Sequence, residues 1–148
     1  MATGNTLRLH RVLKAPPARV YKAMTDTRAM VKWMPPFGFV GEMHSRDGRV
    51  GGSYRMSFTN LGTGQTHSFG GTYVEMVENE KIVVTDRFDD PNLPGEMRVT
   101  TTLRPVSCGT EITITQENIP SVIPLEMCTL GWQESLIQLA WLVEAEVE

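Results

Sequence analysis

The sequence predicts an α+β fold: an antiparallel sheet of about seven strands covered by one long C-terminal helix, with two short helices after the first strand. Three observations carry this. Period-two alternation of apolar and polar residues fills the middle of the chain, interrupted by clusters of Gly, Asn, Asp and Pro. Helical spacing of apolar residues is confined to a short stretch before that region and a long one after it. The length, 148 residues, suits a single domain over residues 1–148 with one substantial core.

The elements follow in order. TLRLHRVLKA, from Thr6 to Ala15, sets Leu7 and Leu9 against Arg8 and His10, with a change of phase expected near Val12 and Leu13. Pro16 and Pro17 stop this strand and suit the first turn of a helix. In ARVYKAMTD, Val20 and Tyr21 precede Met24 by helical steps, and TRAMVKWM forms a second short helix closed by Pro35 and Pro36. GFVGEMHS leads to the turn RDGRVGG. SYRMSFT then alternates Tyr54, Met56 and Phe58 with serines and Arg55. NLGTGQ is a glycine-rich hairpin connection. THSFGGTYVEMV is a long strand in which Gly70 and Gly71 predict a bulge or a close backbone approach. IVVTDRF puts Ile82, Val84, Asp86 and Phe88 on one face. EMRVTTTLRP does so for Met97, Val99, Thr101 and Leu103, and TEITITQEN for Ile112, Ile114 and Gln116. Short turns between consecutive strands make them antiparallel.

Past Pro120 and Pro124 the pattern is helical. Leu136, Leu139 and Val143 fall within about 40° of Trp132 on a helical wheel, a stripe that faces the sheet. Trp141 lies nine positions beyond Trp132, about 900° of rotation, and so on the opposite side. Leu130 and Ile137 share that outer side. Large exposed apolar patches mark interfaces, so these three predict a homodimer contact, the competing account being cover from the short helices or the chain end.

Composition excludes several classes. Hydrophobic residues are 41% and charged residues 21%, an ordinary globular mixture, and the net charge of -3 gives no basic surplus for nucleic acid. No window is long and apolar enough for a membrane span, and MATGNTLRLH has no signal-peptide core. Cys108 and Cys128 read as two buried, reduced thiols, which points to the cytoplasm. His10, His44 and His67 sit on different predicted strands with no metal-ligand spacing, and no Ser lies in a nucleophile elbow. We therefore expect no metal, no cofactor and no assigned catalytic residue.

Five segments in order resemble a known family: APPARVYKAMTDTRAMVKWMPP, the Gly51-Gly52-x-Tyr54 motif, GGTYVEMVENEKIVVT, GTEITIT, and Gly131-Trp132-x-x-x-Leu136. Together, from about Leu7 to Leu142, they are similar to the START-like superfamily, also labelled SRPBCC, in the branch named after the activator of a heat-shock chaperone ATPase. The resemblance implies a helix-grip fold, in which a long helix lies in a curved sheet with a cavity between them. That fold hosts carriers, cyclases and receptors alike, so it does not settle chemistry.

The expected function is binding of a small hydrophobic or amphipathic molecule in that cavity. Met56, Phe58, Phe69, Tyr73, Phe88 and Met97 face it from the sheet, Trp33, Phe37 and Met127 stand near its mouth, and Trp132 closes it. Asp86, Gln116 and Tyr73 would orient the ligand. A carboxylate on an apolar face is costly unless paired or protonated. Asp86 is thus either a cavity handle, accepting from a ligand or acting as a base, or a rim residue paired with Arg55 or Arg87, and the rim pair is preferred on sequence. Two alternatives stand beside ligand binding: a cyclase or dehydratase with Asp86 as proton carrier, and a chaperone-associated interaction module.

Overall fold

A computed structural model describes residues 5–146. Strand β1 (Asn5–Leu13) is followed by helices α1 (Pro17–Thr25) and α2 (Thr27–Trp33). Then come β2 (Phe39–Arg46), β3 (Ser53–Asn60), β4 (Thr66–Val77), β5 (Lys81–Phe88), β6 (Met97–Val106) and β7 (Gly109–Ile119). Helix α3 (Leu125–Glu144) is the last element among the described residues. The seven strands form one antiparallel sheet in the order β1-β7-β6-β5-β4-β3-β2, so α1 and α2 carry the chain from one edge to the other.

Local chemistry accounts for the boundaries. Pro17 occupies the first turn of α1, where its missing N–H has no partner to lose, and the Pro16 carbonyl accepts from Arg19 and Val20 at 3.0 and 3.2 Å. Asp26 ends α1 and caps α2, its carboxylate accepting from the Arg28 backbone at 2.9 Å. Gly70 and Gly71 mark a close approach. A Cβ on Gly71 would collide with the Thr85 carbonyl and one on Gly70 with that of Tyr54. The register shift lies farther along β4, between Tyr73 and Glu75.

Two expectations are corrected. Burial in β1 alternates without a break as far as Leu13, which is fully buried, while Val12 is 41% exposed, so the phase does not change at Val12. A single register with β7, from Leu7 to Leu13, keeps one face inward. Cys108 is exposed rather than buried, because it sits in the tight turn joining β6 and β7. Both cysteines are free.

The core lies between the concave face of the sheet and α3. Leu136, Leu139, Ala140 and Val143 of the helix pack with Leu13, Val20, Leu103 and Ile112. Each of these Leu, Val and Ile side chains contributes roughly 1.5–3 kcal/mol by leaving water. Polar links fasten the helix at this end: Arg19 donates to the Val143 carbonyl at 3.0 Å, and the Lys14 backbone to Glu144 at 3.0 Å. Farther back, the Ser135 hydroxyl donates to the Met34 carbonyl at 2.6 Å.

Candidate functional site: a cavity under the first half of the long helix

The N-terminal half of α3 does not lie flush on the sheet. Between them is a cavity of about 300 Å³. The helix borders it with Cys128, Gly131, Trp132 and Ser135. The sheet supplies Phe39, Phe58, His67, Phe69, Asp86, Phe88 and Gln116, and the segment after β1 adds Trp33, Met34 and Pro36. Phe58 and Phe69 meet edge to face with centroids 4.8 Å apart. The walls are thus largely apolar and aromatic. His67 and Phe88 also border a polar surface groove with Gln65, Thr66, Ser68, Asp89 and Asp90.

Most polar groups in the cavity are already engaged. Trp132 donates its indole N–H to Gln116 Oε1 at 2.8 Å, and Gln116 Nε2 donates to Met97 Sδ at 3.2 Å. The indole requires an acceptor, which fixes the orientation of the Gln116 amide. Trp33 donates to the Ala23 carbonyl at 2.9 Å. The Ser135 hydroxyl is occupied by the Met34 carbonyl. Burial pushes the Cys128 thiol up, so it remains protonated and unreactive.

Apart from the exposed His67, Asp86 is the exception. Its register partner on β6 is Met97, and it shares the inward face of β5 with Ile82, Val84 and Phe88. The preferred expectation of a rim pair is overturned. Arg55 pairs with Asp89 and Arg87 with Glu96, the latter at 3.8 Å. These arginines occupy the odd positions of their strands and point away from the face that carries Asp86. Asp86 instead accepts from the Tyr54 hydroxyl at 3.1 Å. Burial raises its carboxyl to about 7, against the opposing effects of the Tyr54 hydrogen bond and the Arg87 backbone N–H. Burial and then the Asp86 charge push the Tyr54 phenol well above its ordinary value. Behind Tyr54 stands Tyr73, 5.8 Å away between ring centroids, whose hydroxyl accepts from Arg46 Nε at 2.8 Å.

Of the residues expected to contact a ligand, Trp33, Phe58, Phe69, Asp86, Phe88, Gln116 and Trp132 line the cavity. Met56, Tyr73 and Met97 are buried beneath it and do not reach its surface. Phe37 and Met127 lie outside it, 47% and 67% exposed. Phe37 follows the Pro35-Pro36 stop on the exposed approach to β2, and Met127 is turned to the outer side of α3. Sequence reasoning passed over Met34, Pro36, Phe39, His67, Cys128, Gly131 and Ser135 as lining residues. A signal existed for several of them. His67 is two residues before Phe69 on one strand, and Cys128 and Ser135 are a helical turn either side of Trp132. On the outer side of α3, Leu130 and Trp141 are 56% and 69% exposed and Ile137 is half-buried.

A helix-grip domain with an open, mostly apolar cavity is the class that this geometry defines. The chain belongs to the family described as Activator of Hsp90 ATPase homolog 1-like protein, which matches residues 14–144. It is similar to a crystallised protein of Chromobacterium violaceum at 57% identity and a TM-score of 0.95, covering 96% of this chain and 99% of that one. A protein of Nitrosomonas europaea shares the fold at 23% identity, with a TM-score of 0.79 over 94% of each chain. An AHSA1 protein of Silicibacter pomeroyi shares it at 21% identity, with a TM-score of 0.80 over 93% of this chain and 96% of that one. A comparison with curated proteins found no match. Among the described residues no helix is long and apolar enough to cross a membrane.

Proposed function

We propose that this protein binds a small apolar or amphipathic molecule in the cavity between the sheet and α3. The observation that supports this reading is the unfilled volume of about 300 Å³, walled by aromatic side chains and bordered by one half-buried carboxylate. Close-packed interiors contain few voids larger than a water molecule, and ligand sites are concave, apolar and sparsely polar. Trp132 forms part of the wall, so its fluorescence reports occupancy. A panel of fatty acids, flavonoids and polyketides is expected to contain compounds that shift this signal and raise the melting temperature together. A panel without effect on either signal removes the reading.

A second reading is enzymatic. Asp86, with its carboxyl near neutrality and Tyr54 at 3.1 Å, has the properties of a proton carrier for a cyclase or dehydratase. Once a substrate is identified, Asp86→Asn is expected to lower turnover by about 10²–10⁴. Unchanged turnover in that variant would leave binding alone.

A further inference from the structure

Resting on the proposed binding function, we infer that the cavity selects molecules whose polar end is a hydrogen-bond donor, a hydroxyl or an amine, and discriminates against carboxylate-headed molecules such as fatty acids. The selecting group is Asp86.

Elimination among the cavity's polar side chains leaves Asp86 and, on the exposed side shared with the surface groove, His67. Among the described residues no Arg or Lys lines the cavity, so nothing there supplies a fixed positive charge for a ligand carboxylate. Gln116 is held at both ends, by Trp132 and by Met97. Ser135 donates to Met34, and the indole of Trp33 to Ala23. A carboxylate offers about four acceptor sites. Asp86 uses some of them for the Tyr54 hydroxyl and the Arg87 backbone N–H, and keeps acceptor capacity toward the open volume that it lines.

The groups around Asp86 reinforce its preference. Tyr54 faces it from β3, His67 lines the same cavity from β4, Met97 lies across from it on β6, Gln116 comes from β7 and Cys128 from α3. A ligand N–H or O–H adds a bond to the ionised carboxylate and stabilises it. A ligand carboxylate brings a like charge into a poorly hydrated space and binds more weakly until a proton neutralises the pair. The polar groove beyond His67 and Phe88 does not rescue such an anion. Asp89 there is engaged by Arg55, and Asp90 accepts from the Asn92 backbone.

The experiment uses four probes that share one aromatic body: naphthalene, naphthylmethanol, naphthylmethylamine and naphthoate, titrated by calorimetry. At about pH 8, where Asp86 is ionised, the alcohol and the amine are expected to bind at least about ten-fold more tightly than naphthoate. The preference narrows as pH falls through about 7 and Asp86 takes up its proton. Asp86→Asn brings the alcohol and naphthoate to near parity, while His67→Gln keeps the wild-type pH trend. Naphthoate binding as tightly as the alcohol at the higher pH overturns the inference, as does a preference that survives in Asp86→Asn. Should that variant not fold, the wild-type pH series decides, and a ratio that does not change with pH overturns the inference. Naphthalene separates the two proposals. If it binds but the heads are not distinguished, only the donor preference falls. If none of the four probes binds, the cavity reading falls with it.

Discussion

The two halves of α3 cover the same sheet in opposite ways. Its C-terminal half presents Leu136, Leu139, Ala140 and Val143, none more than 4% exposed, and leaves no gap. Its N-terminal half presents Cys128, Gly131 and Ser135, all small, with Trp132 as the large exception. Tied to Gln116, the Trp132 indole acts as a strut rather than a plug. The difference teaches that side-chain volume along one helix stripe decides where a helix-grip domain is solid and where it is hollow. Gly131 makes the point. A Cβ there would meet nothing within 4 Å, so packing does not require glycine, and helical glycine costs about 1 kcal/mol relative to alanine.

The contrast can be broken most forcefully at the solid end. Leu139→Ala is expected to cost about 2–5 kcal/mol in urea unfolding, because a filled site cannot relax around the loss. A cost below about 1 kcal/mol would show that this end also has slack.

At the hollow end the largest effect is one of pH. Unfolded, Asp86 releases its proton near about pH 3.9. Folded, it does so near about 7. Between those values the native chain holds a proton that the unfolded chain has lost, so this group makes stability fall as pH rises through that window. Asp86→Asn is expected to flatten this fall and to stabilise the protein above neutrality by on the order of a few kcal/mol. Thermal melts at a series of pH values check it. An unchanged pH profile would place the carboxylate in water rather than beside a dry cavity.

Smaller changes sharpen the comparison. Gly131→Ala should raise stability by about 0.4–1 kcal/mol, since it adds no clash and restricts the unfolded chain. Gly131→Leu should weaken binding of the naphthyl probes by about ten-fold through lost volume, without loss of fold. On the outer stripe, Trp141→Ala should move monomer stability by no more than about 0.5 kcal/mol. The expected homodimer contact through Leu130, Ile137 and Trp141 is checked by sedimentation of the wild type and this variant. A monomer at all concentrations in both removes that contact.

Much of this was legible in the chain itself. Period-two alternation located the strands and put Asp86 inward with Ile82 and Val84; Ile82 and Val84 pack in the core and Asp86 lines the cavity, although Val83 between them is buried too. The wheel position of Trp132 with Leu136, Leu139 and Val143 identified the inner stripe of α3. His67 is in phase with Phe69 on β4, and that spacing alone puts both on the cavity side. What Asp86 contacts was not legible. Its partner Tyr54 lies 32 positions away on another strand, and the arginines nearest in sequence, Arg55 and Arg87, belong to the other face.

The sequence by itself determined the element order, the inward face of each strand and of α3, and the family. These follow from local periodicity and turn chemistry, which act over a few residues. Only the tertiary structure decided that the gap stays open under one half of the helix and not the other, that Asp86 lines it half-buried with Tyr54 as partner, and that Gln116 is held by Trp132. Those outcomes depend on register between distant strands and on how far the helix stands from the curved sheet, quantities set by packing across the whole domain.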